Sequence, residues 1–343
     1  MENKKIRVAI NGFGRIGRAF LKIAWDRPEI EIVAVNDLGS VDNLAYLLRH
    51  DTVYKNWNHE VKISGPDIVI DGKEIEFHAE KEPTMLPWND LNIDVVVEST
   101  GFFTDYDKAH AHIKAGAKKV VISAPSHEGD GSVHGETILM GVNEEKFGTC
   151  DVSSNGSCTT NATSPLISIL HGTLGIEKAM LNTTHSYTIS QALVDGPNKK
   201  DFREGRAAAQ NLAPAHTGAA VSVTQAIPEL AGKFDGIAVR VPTVCGSLDD
   251  VTFISKRNTT VEEVNDILRK AARDPRWDSV FDVVEEPIVS SDMLGNPHAS
   301  VADLLLTKVV DGNLVKVMAW YDNEMGYTNT LVEHVIKTGN TIK

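Results

Sequence analysis

Apolar and polar positions along this chain fall into two textures. Ile6 to Ile10 is a short β-branched apolar run suited to a buried strand, and Arg18 to Trp25 then repeats apolar residues at helical spacing. Pro28 closes that helix, and Ile30 to Asn36 forms a second apolar strand ending at Asp37. This is a complete βαβ unit. Further strands are expected at Asp94–Glu98, Lys119–Ser123 and Thr137–Val142, with a helix over Asp105–Ala115. Such alternation predicts a Rossmann-type, doubly wound parallel α/β sheet.

From Lys178 onward the strands are longer, at Ala179–Tyr187, Gly236–Val241, Asp249–Ser255 and Leu304–Tyr321, with helices over Thr217–Ala226 and Val261–Ala272 among them. Strands with segregated helices predict an α+β domain with a mostly antiparallel sheet. Ser190 to Gln210 is polar and without apolar period, and a loop that long in a compact domain is usually functional. Glu324 to Thr338 reads as a terminal helix.

The chain has 343 residues, enough for two domains, and 42% hydrophobic residues to build their cores. Its net charge of −13 argues against a nucleic-acid partner, which needs a basic stripe to neutralise phosphates. Cys150, Cys158 and Cys245 are odd in number and far apart, so they form neither a disulfide framework nor a metal pattern. Met1-Glu2-Asn3-Lys4-Lys5 leads directly into the first strand, and no apolar run nears the roughly 18 residues of a membrane span. A soluble, cytoplasmic protein is expected, with no membrane partner.

Two segments carry chemistry. Gly12-Phe13-Gly14-Arg15-Ile16-Gly17 follows a strand and opens a helix, and Asp37 lies twenty residues past the last glycine. In that context Gly12 allows a tight turn, Gly14 the approach of a pyrophosphate to a helix N-terminus, and Gly17 close helix–strand packing. The Asp37 carboxylate can accept from both ribose hydroxyls and repels a 2′-phosphate, which favours NAD over NADP. The second segment is Ser154-Asn155-Gly156-Ser157-Cys158-Thr159-Thr160-Asn161, ahead of a helix over Thr159–His171. A thiol at a helix start feels unpaired N–H groups and the positive dipole end, which favour the nucleophilic thiolate. A dinucleotide and a nucleophilic cysteine together suggest aldehyde oxidation through a thioester. That chemistry needs a base. Among 12 histidines, His185 ends an apolar strand before the long polar loop, a place that fits a structural role as well as a base.

The runs Ala9 to Arg18, Ser153 to Asn161, His185-Ser186-Tyr187-Thr188, Arg206 to Ala209, Thr217 to Ala220, Arg240-Val241-Pro242-Thr243 and Trp320 to Glu324 occur in order along nearly the whole chain. By these the chain resembles the phosphorylating glyceraldehyde-3-phosphate dehydrogenases. The resemblance implies an NAD-binding domain over 1–157, completed by the C-terminal helix 323–343, and a catalytic domain over 158–322. It implies that Cys158 attacks the aldehyde of glyceraldehyde 3-phosphate, that His185 is the base, and that inorganic phosphate cleaves the thioester to 1,3-bisphosphoglycerate. Ser157, Thr159, Thr217 and Gly218 would hold the attacking phosphate, and Thr188 and Arg240 the substrate's own. On local evidence alone, Thr217-Gly218 is also a plain helix cap and Arg240 a surface ion pair. Arg15, Ile16, Lys81, Thr100 and Ser123 would line the cofactor site, and Asn323 would hold the nicotinamide carboxamide. A homotetramer is expected, with the Ser190–Gln210 loop reaching a neighbouring subunit.

The sequence also departs from the family's pattern. Ala162 replaces a second cysteine four residues after the nucleophile, and Ser190 replaces an aspartate beside the substrate phosphate. Gly196-Pro197 replaces Leu-Pro, and Asn198-Lys199-Lys200 is one residue longer than usual. The rival readings are erythrose-4-phosphate oxidation with water as acyl acceptor, disfavoured by the intact Thr217-to-Ala220 run, an aspartate-semialdehyde dehydrogenase, and a non-catalytic NAD-binding scaffold, disfavoured by Cys158 and His185.

Overall fold

The computed structural model describes residues 4–199 and 201–342; Met1-Glu2-Asn3, Lys200 and Lys343 lie outside the described residues. The chain forms two compact units, one of Met1–Ile138, Asn143–Gly156 and Leu331–Lys343, the other of Leu139–Val142 and Ser157–Thr330. Among the described residues no helix is long and apolar enough to cross a membrane.

The first unit runs β1 (Ile6–Asn11), α1 (Arg15–Ala24), β2 (Ile30–Asn36), α2 (Val41–Arg49), β3 (Val61–Ser64), β4 (Asp67–Ile70), β5 (Lys73–His78), β6 (Val95–Glu98), α3 (Tyr106–Ala109), α4 (Ala111–Lys114), β7 (Lys119–Ile122), β8 (Gly135–Thr137) and β9 (Val152–Ser154). Its nine-stranded sheet has the order β3-β4-β5-β2-β1-β6-β7-β9-β8. Every pair from β5 to β8 is parallel, and only β3, β4 and β5 pair antiparallel. The order reverses at β1, which lies between β2 and β6, and ligands of doubly wound sheets bind at such a switch point. Ala9, Val96, Trp88, Val120 and Ile122 form a fully buried core on this sheet.

Two expectations for the first half of the chain need correction. Thr137–Val142 is not a strand: β8 ends at Thr137, and Gly141 takes a left-handed φ of 73° that no ladder continues through. The helix expected over Asp105–Ala115 is two short ones, because the backbone tightens at His110, whose carbonyl accepts from Ile113 in an i to i+3 bond. The hairpins of β3 to β5, turned at Gly65 and at Asp71-Gly72, have strands of four to six residues with charges interspersed, too short for a periodicity argument.

The second unit runs α5 (Cys158–Leu174), β10 (Ile176–Ser186), β11 (Ala213–Ala215), α6 (Ala219–Ala226), β12 (Phe234–Val241), β13 (Ser247–Ser255), α7 (Val261–Ala271), β14 (Phe281–Val284), β15 (Ser300–Asp303), β16 (Lys308–Val310) and β17 (Leu314–Tyr321). The helix α8 (Met325–Asn340) begins in this unit and ends in the first. The eight-stranded sheet has the order β11-β12-β10-β13-β17-β15-β14, with β16 added on β17. It is antiparallel except for β10–β12 and β14–β15. The single strand expected over Leu304–Tyr321 is instead the hairpin β16–β17, turned where Asp311 and Gly312 adopt φ of 48° and 78°. Under α5 the sheet face buries Leu181, Val251, Phe253 and Val317 against Leu166 and Leu170. Each such side chain contributes roughly 1.5–3 kcal/mol of apolar burial. The described residues of the Ser190–Gln210 segment form neither helix nor strand.

Candidate active site

In the first unit, the loop between β1 and α1 borders a cavity of about 480 Å³ lined by Gly12, Gly14, Asp37, Lys81, Thr100 and Phe103 among others. The glycines divide their work. Gly12 sits at φ 94°, and a Cβ there would stand 2.6 Å from the Thr100 nitrogen. A Cβ on Gly17 would collide with the Gly12 carbonyl, so Gly17 brings helix and loop together. A Cβ on Gly14 would meet nothing within 4 Å, which leaves that space to a ligand. Gly14 is also the N-cap of α1 without a side-chain cap, so the helix start offers N–H groups to an anion. These observations fit a pyrophosphate.

Asp37 is partly committed to the protein: Oδ2 accepts from the Phe13 N–H at 2.7 Å and Oδ1 from the Gly39 N–H at 2.8 Å. It thereby fixes the loop while keeping further lone pairs for sugar hydroxyls. Arg15 turns its guanidinium to Asp51 at 2.5 Å and over the Tyr54 ring. Neither it nor Ile16 or Ser123 borders the cavity as a lining residue. Ser123 donates its N–H to the Glu98 carbonyl just after β7. Behind Asn11, Asn36 and Thr100 of the cavity wall lies a polar layer that no sequence motif announces. Buried Glu98 accepts from Asn11 at 2.6 Å and from the Thr100 hydroxyl at 2.5 Å, and Asn36 bonds Asn11 at 2.7 Å. The visible signal was polar residues ending three apolar strands.

In the second unit, Ser157 caps α5 through a capping box: its Oγ accepts from the Thr160 N–H at 3.0 Å, and Thr160 Oγ1 accepts from the Ser157 N–H at 3.2 Å. The cap fixes Cys158 as the first residue of a 17-residue helix. The preceding strand is held from within the first unit, where buried His334 bonds Ser153 Oγ at 2.8 Å and Asn155 Oδ1 at 3.1 Å.

Cys158 Sγ lies 3.3 Å from His185 Nε2. His185 ends β10, directly opposite Arg240 on β12. His185 Nδ1 is 2.6 Å from the Ser186 carbonyl and 2.5 Å from Arg240 Nη1. These contacts exclude each other for one proton. With Nδ1–H donating to Ser186, Nε2 is an acceptor for the thiol. With Nδ1 accepting from Arg240, the proton sits on Nε2. Burial, helped by the Arg240 cation, pulls the imidazole down to about 3. Burial also pushes the Cys158 thiol up to about 11, against the opposing pull of Arg240 and of hydrogen bonds from Thr159. The helix start alone predicts a thiolate. In the structure the surroundings of this half-buried thiol oppose that pull by desolvation.

The residues expected to hold phosphates are in several states. Thr159 is buried and its hydroxyl bonds Tyr321 Oη at 3.0 Å. Thr217 Oγ1 accepts from the Ala219 N–H at 3.2 Å, and Gly218 caps α6 with open space at its Cα. Thr188 Oγ1 is 3.2 Å from Ser190 Oγ, a neutral neighbour where a carboxylate would have repelled an anion. Arg240 Nε is buried without a partner among the described residues. Asn323 is buried, its Oδ1 accepting from the Gly246 N–H and from Ser247 Oγ, each at 3.0 Å.

Residues 6–106 match the NAD-binding domain of glyceraldehyde 3-phosphate dehydrogenase, and residues 157–323 match the C-terminal domain of the same enzyme. The chain is 47% identical over 330 residues to glyceraldehyde-3-phosphate dehydrogenase 1 of Bacillus subtilis, covering 96% of each chain. It is 47% identical over 331 residues to the glyceraldehyde-3-phosphate dehydrogenase of Clostridium acetobutylicum, covering 95% of this chain and 96% of the other. With the Geobacillus stearothermophilus enzyme it shares 46% over 330 residues, 96% of each. A nucleotide loop on one unit, a capped thiol beside an imidazole on the other, and likeness along almost the whole length agree: this chain belongs to the glyceraldehyde-3-phosphate dehydrogenase family.

Proposed function

We propose that this chain converts glyceraldehyde 3-phosphate, NAD and inorganic phosphate into 1,3-bisphosphoglycerate and NADH, with Cys158 as acyl carrier and His185 as proton carrier. The observation that carries the reading is the 3.3 Å approach of Cys158 Sγ to His185 Nε2 at the capped start of α5. The thiol gives its proton to Nε2 as sulfur bonds to the aldehyde carbon. The imidazolium and the Cys158 N–H then stabilise the oxygen that becomes the thiohemiacetal hydroxyl. NAD, when bound through Gly12, Gly14 and Asp37, supplies the hydride acceptor. As hydride leaves carbon, neutral His185 takes the hydroxyl proton and the thioester remains on Cys158. Phosphate oxygen then attacks the acyl carbon, the carbon–sulfur bond breaks, the His185 imidazolium returns its proton to the departing sulfur, and the acyl phosphate leaves.

Arg240 would hold the substrate phosphate together with Thr188, and the α6 start at Thr217-Gly218, with the Ser157 hydroxyl and the Thr159 N–H, would hold the attacking phosphate. Among the described residues Cys150, Cys158 and Cys245 form no disulfide, which supports the reducing cytoplasm as the compartment. Leu193, Val194 and Phe202 are exposed along the long loop and Ile189 and Leu212 beside its ends, apolar surface that a second copy would cover, which supports a homotetramer. NADH formation from glyceraldehyde 3-phosphate and from erythrose 4-phosphate, each with and without inorganic phosphate, tests the reading, with Cys158→Ser as control. Phosphate-dependent turnover of the triose is expected. Turnover indifferent to phosphate, or surviving loss of the thiol, refutes it.

A further inference from the structure

The sheet face beneath α5 holds a carboxyl group with no part in the steps above. Burial alternates strictly along β13, so Ser247, Asp249, Val251, Phe253 and Ser255 face inward, and Asp249 is fully buried. Its cross-strand neighbour on β10 is Thr183, two residues before His185, and on β17 it is Ala319, two residues before Tyr321. Asp249 therefore sits one pleat below the imidazole. Its Oδ2 accepts from Thr163 Oγ1 of α5 at 2.5 Å, while the buried Oδ1 meets no hydrogen-bonding geometry among the described residues.

The Thr183 and Tyr321 hydroxyls act on this carboxyl and bond each other at 2.8 Å. Tyr321 Oη continues to Thr159 Oγ1 at 3.0 Å, and the hydroxyl and N–H of Thr159 act on the Cys158 sulfur. The Tyr321 ring stands edge-on to His185, 5.9 Å between centroids at 71°. One chain of hydroxyls thus joins the carboxyl to the thiol, and one ring joins it to the imidazole. Among the described residues Asp249 acts on Cys158 of α5 and Tyr321 of β17, Asp250 of its own strand acts on it, and His185 of β10 and Arg240 of β12 stand beyond, by the thiol. Asp250 faces the other way and is paired with Lys316.

We propose that Asp249 is a positioning residue of the thiol–imidazole pair: its carboxyl, tied to α5 through Thr163, lies behind the linked Thr183 and Tyr321 hydroxyls, and its ionisation changes the charge balance at Cys158. A buried carboxylate with one orphaned oxygen is costly, and a proton on it relieves that cost. Burial accordingly moves the group up to about 7, so it exchanges its proton near neutrality. The carboxylate form then opposes ionisation of both the Cys158 thiol and the Tyr321 phenol. The thiol loses reactivity on the alkaline side that its own titration would otherwise give.

This rests on Cys158 being the nucleophile. The test is the rate of Cys158 alkylation by iodoacetamide across pH in the full-length enzyme, the label located by peptide mass, for wild type, Asp249→Asn and Thr163→Val. Wild type should show two steps. Asp249→Asn should match it on the acid side of neutrality and react about three- to tenfold faster on the alkaline side, the change that half to one pH unit in the thiol's titration produces. Thr163→Val removes a hydrogen bond that favours the carboxylate, so the lower step should move to higher pH. A folded Asp249→Asn enzyme whose profile superimposes on wild type overturns the proposal. If that variant fails to fold, a lower step unmoved in Thr163→Val overturns it. Turnover that survives in Cys158→Ser instead removes the nucleophile reading beneath it, an outcome separate from any change at Asp249.

Discussion

Arg240→Leu separates the two tasks that the geometry gives this arginine. The change keeps an aliphatic stem and removes a cation 2.5 Å from His185 Nδ1. Unit charges about 4 Å apart interact by ~4 kcal/mol at an effective dielectric near 20 and by ~1 kcal/mol in water. Arg240 is half-buried, so about 1.5–3 kcal/mol applies, equal to roughly one to two pH units. The sign is the same for both partners. A cation disfavours imidazolium and favours thiolate, so its loss moves both the His185 and the Cys158 titrations to higher pH. The pH profile of the acylation burst, followed as NADH in stopped flow, should therefore shift upward by about that amount. The KM for glyceraldehyde 3-phosphate should rise roughly ten- to a hundredfold, as lost charge-assisted bonds of about 1.5–3 kcal/mol require, while that for unphosphorylated glyceraldehyde stays. A KM that rises equally for both aldehydes refutes phosphate recognition by Arg240, and an unmoved burst profile refutes its coupling to the base.

Three further outcomes are expected. His185→Asn should lower the acylation rate by about 10²–10⁴, the worth of a positioned base, with little change in thermal midpoint; a larger fall in stability than in rate would make the residue structural. Ser157→Ala removes one half of the α5 capping box and should cost about 1 kcal/mol in denaturant unfolding, together with slower alkylation of Cys158. His334 is buried and held neutral, down to about 3 in the fold against 6.5 when exposed, so its contribution is complete above about pH 6.5 and lost as pH falls toward 3. Stability should decline in that window by up to ~1.4 kcal/mol per pH unit for this one group, a share that His334→Gln removes; parallel acid-unfolding curves for the two proteins would contradict it.

Most of the fold could be read because each half of the chain has one dominant period. The βαβ opening, the strand ending at Asp37 and the helix after Cys158 all follow from long, consistent patterns. The errors lie where a local backbone feature overrides the pattern. Gly141 ends an apolar run that otherwise reads as strand, and Asp311-Gly312 folds what reads as one strand into a hairpin. The second of these was available, since Asp-Gly between apolar stretches is a strong hairpin signal. The short strands of β3 to β5 were not, because four-residue elements carry too few positions to show a period.

The site divides in the same way between what is contiguous and what is assembled by register. The glycine loop and the capped thiol are each one unbroken stretch, so their chemistry is legible in line. His185, Arg240, Asp249 and Tyr321 meet only because β12, β10, β13 and β17 pair in one particular register, and that register is not written in any one segment. A local clue did exist for Asp249. In an alternating strand, two adjacent aspartates cannot both face water, so one of Asp249 and Asp250 had to enter the core. What that buried group does depends on desolvation, which also reverses the reading of the thiol. At a bare helix start Cys158 would ionise readily. Beside His185 desolvation raises this half-buried thiol, and an imidazole held between Arg240 and Ser186 stands 3.3 Å away to take its proton as sulfur meets an aldehyde.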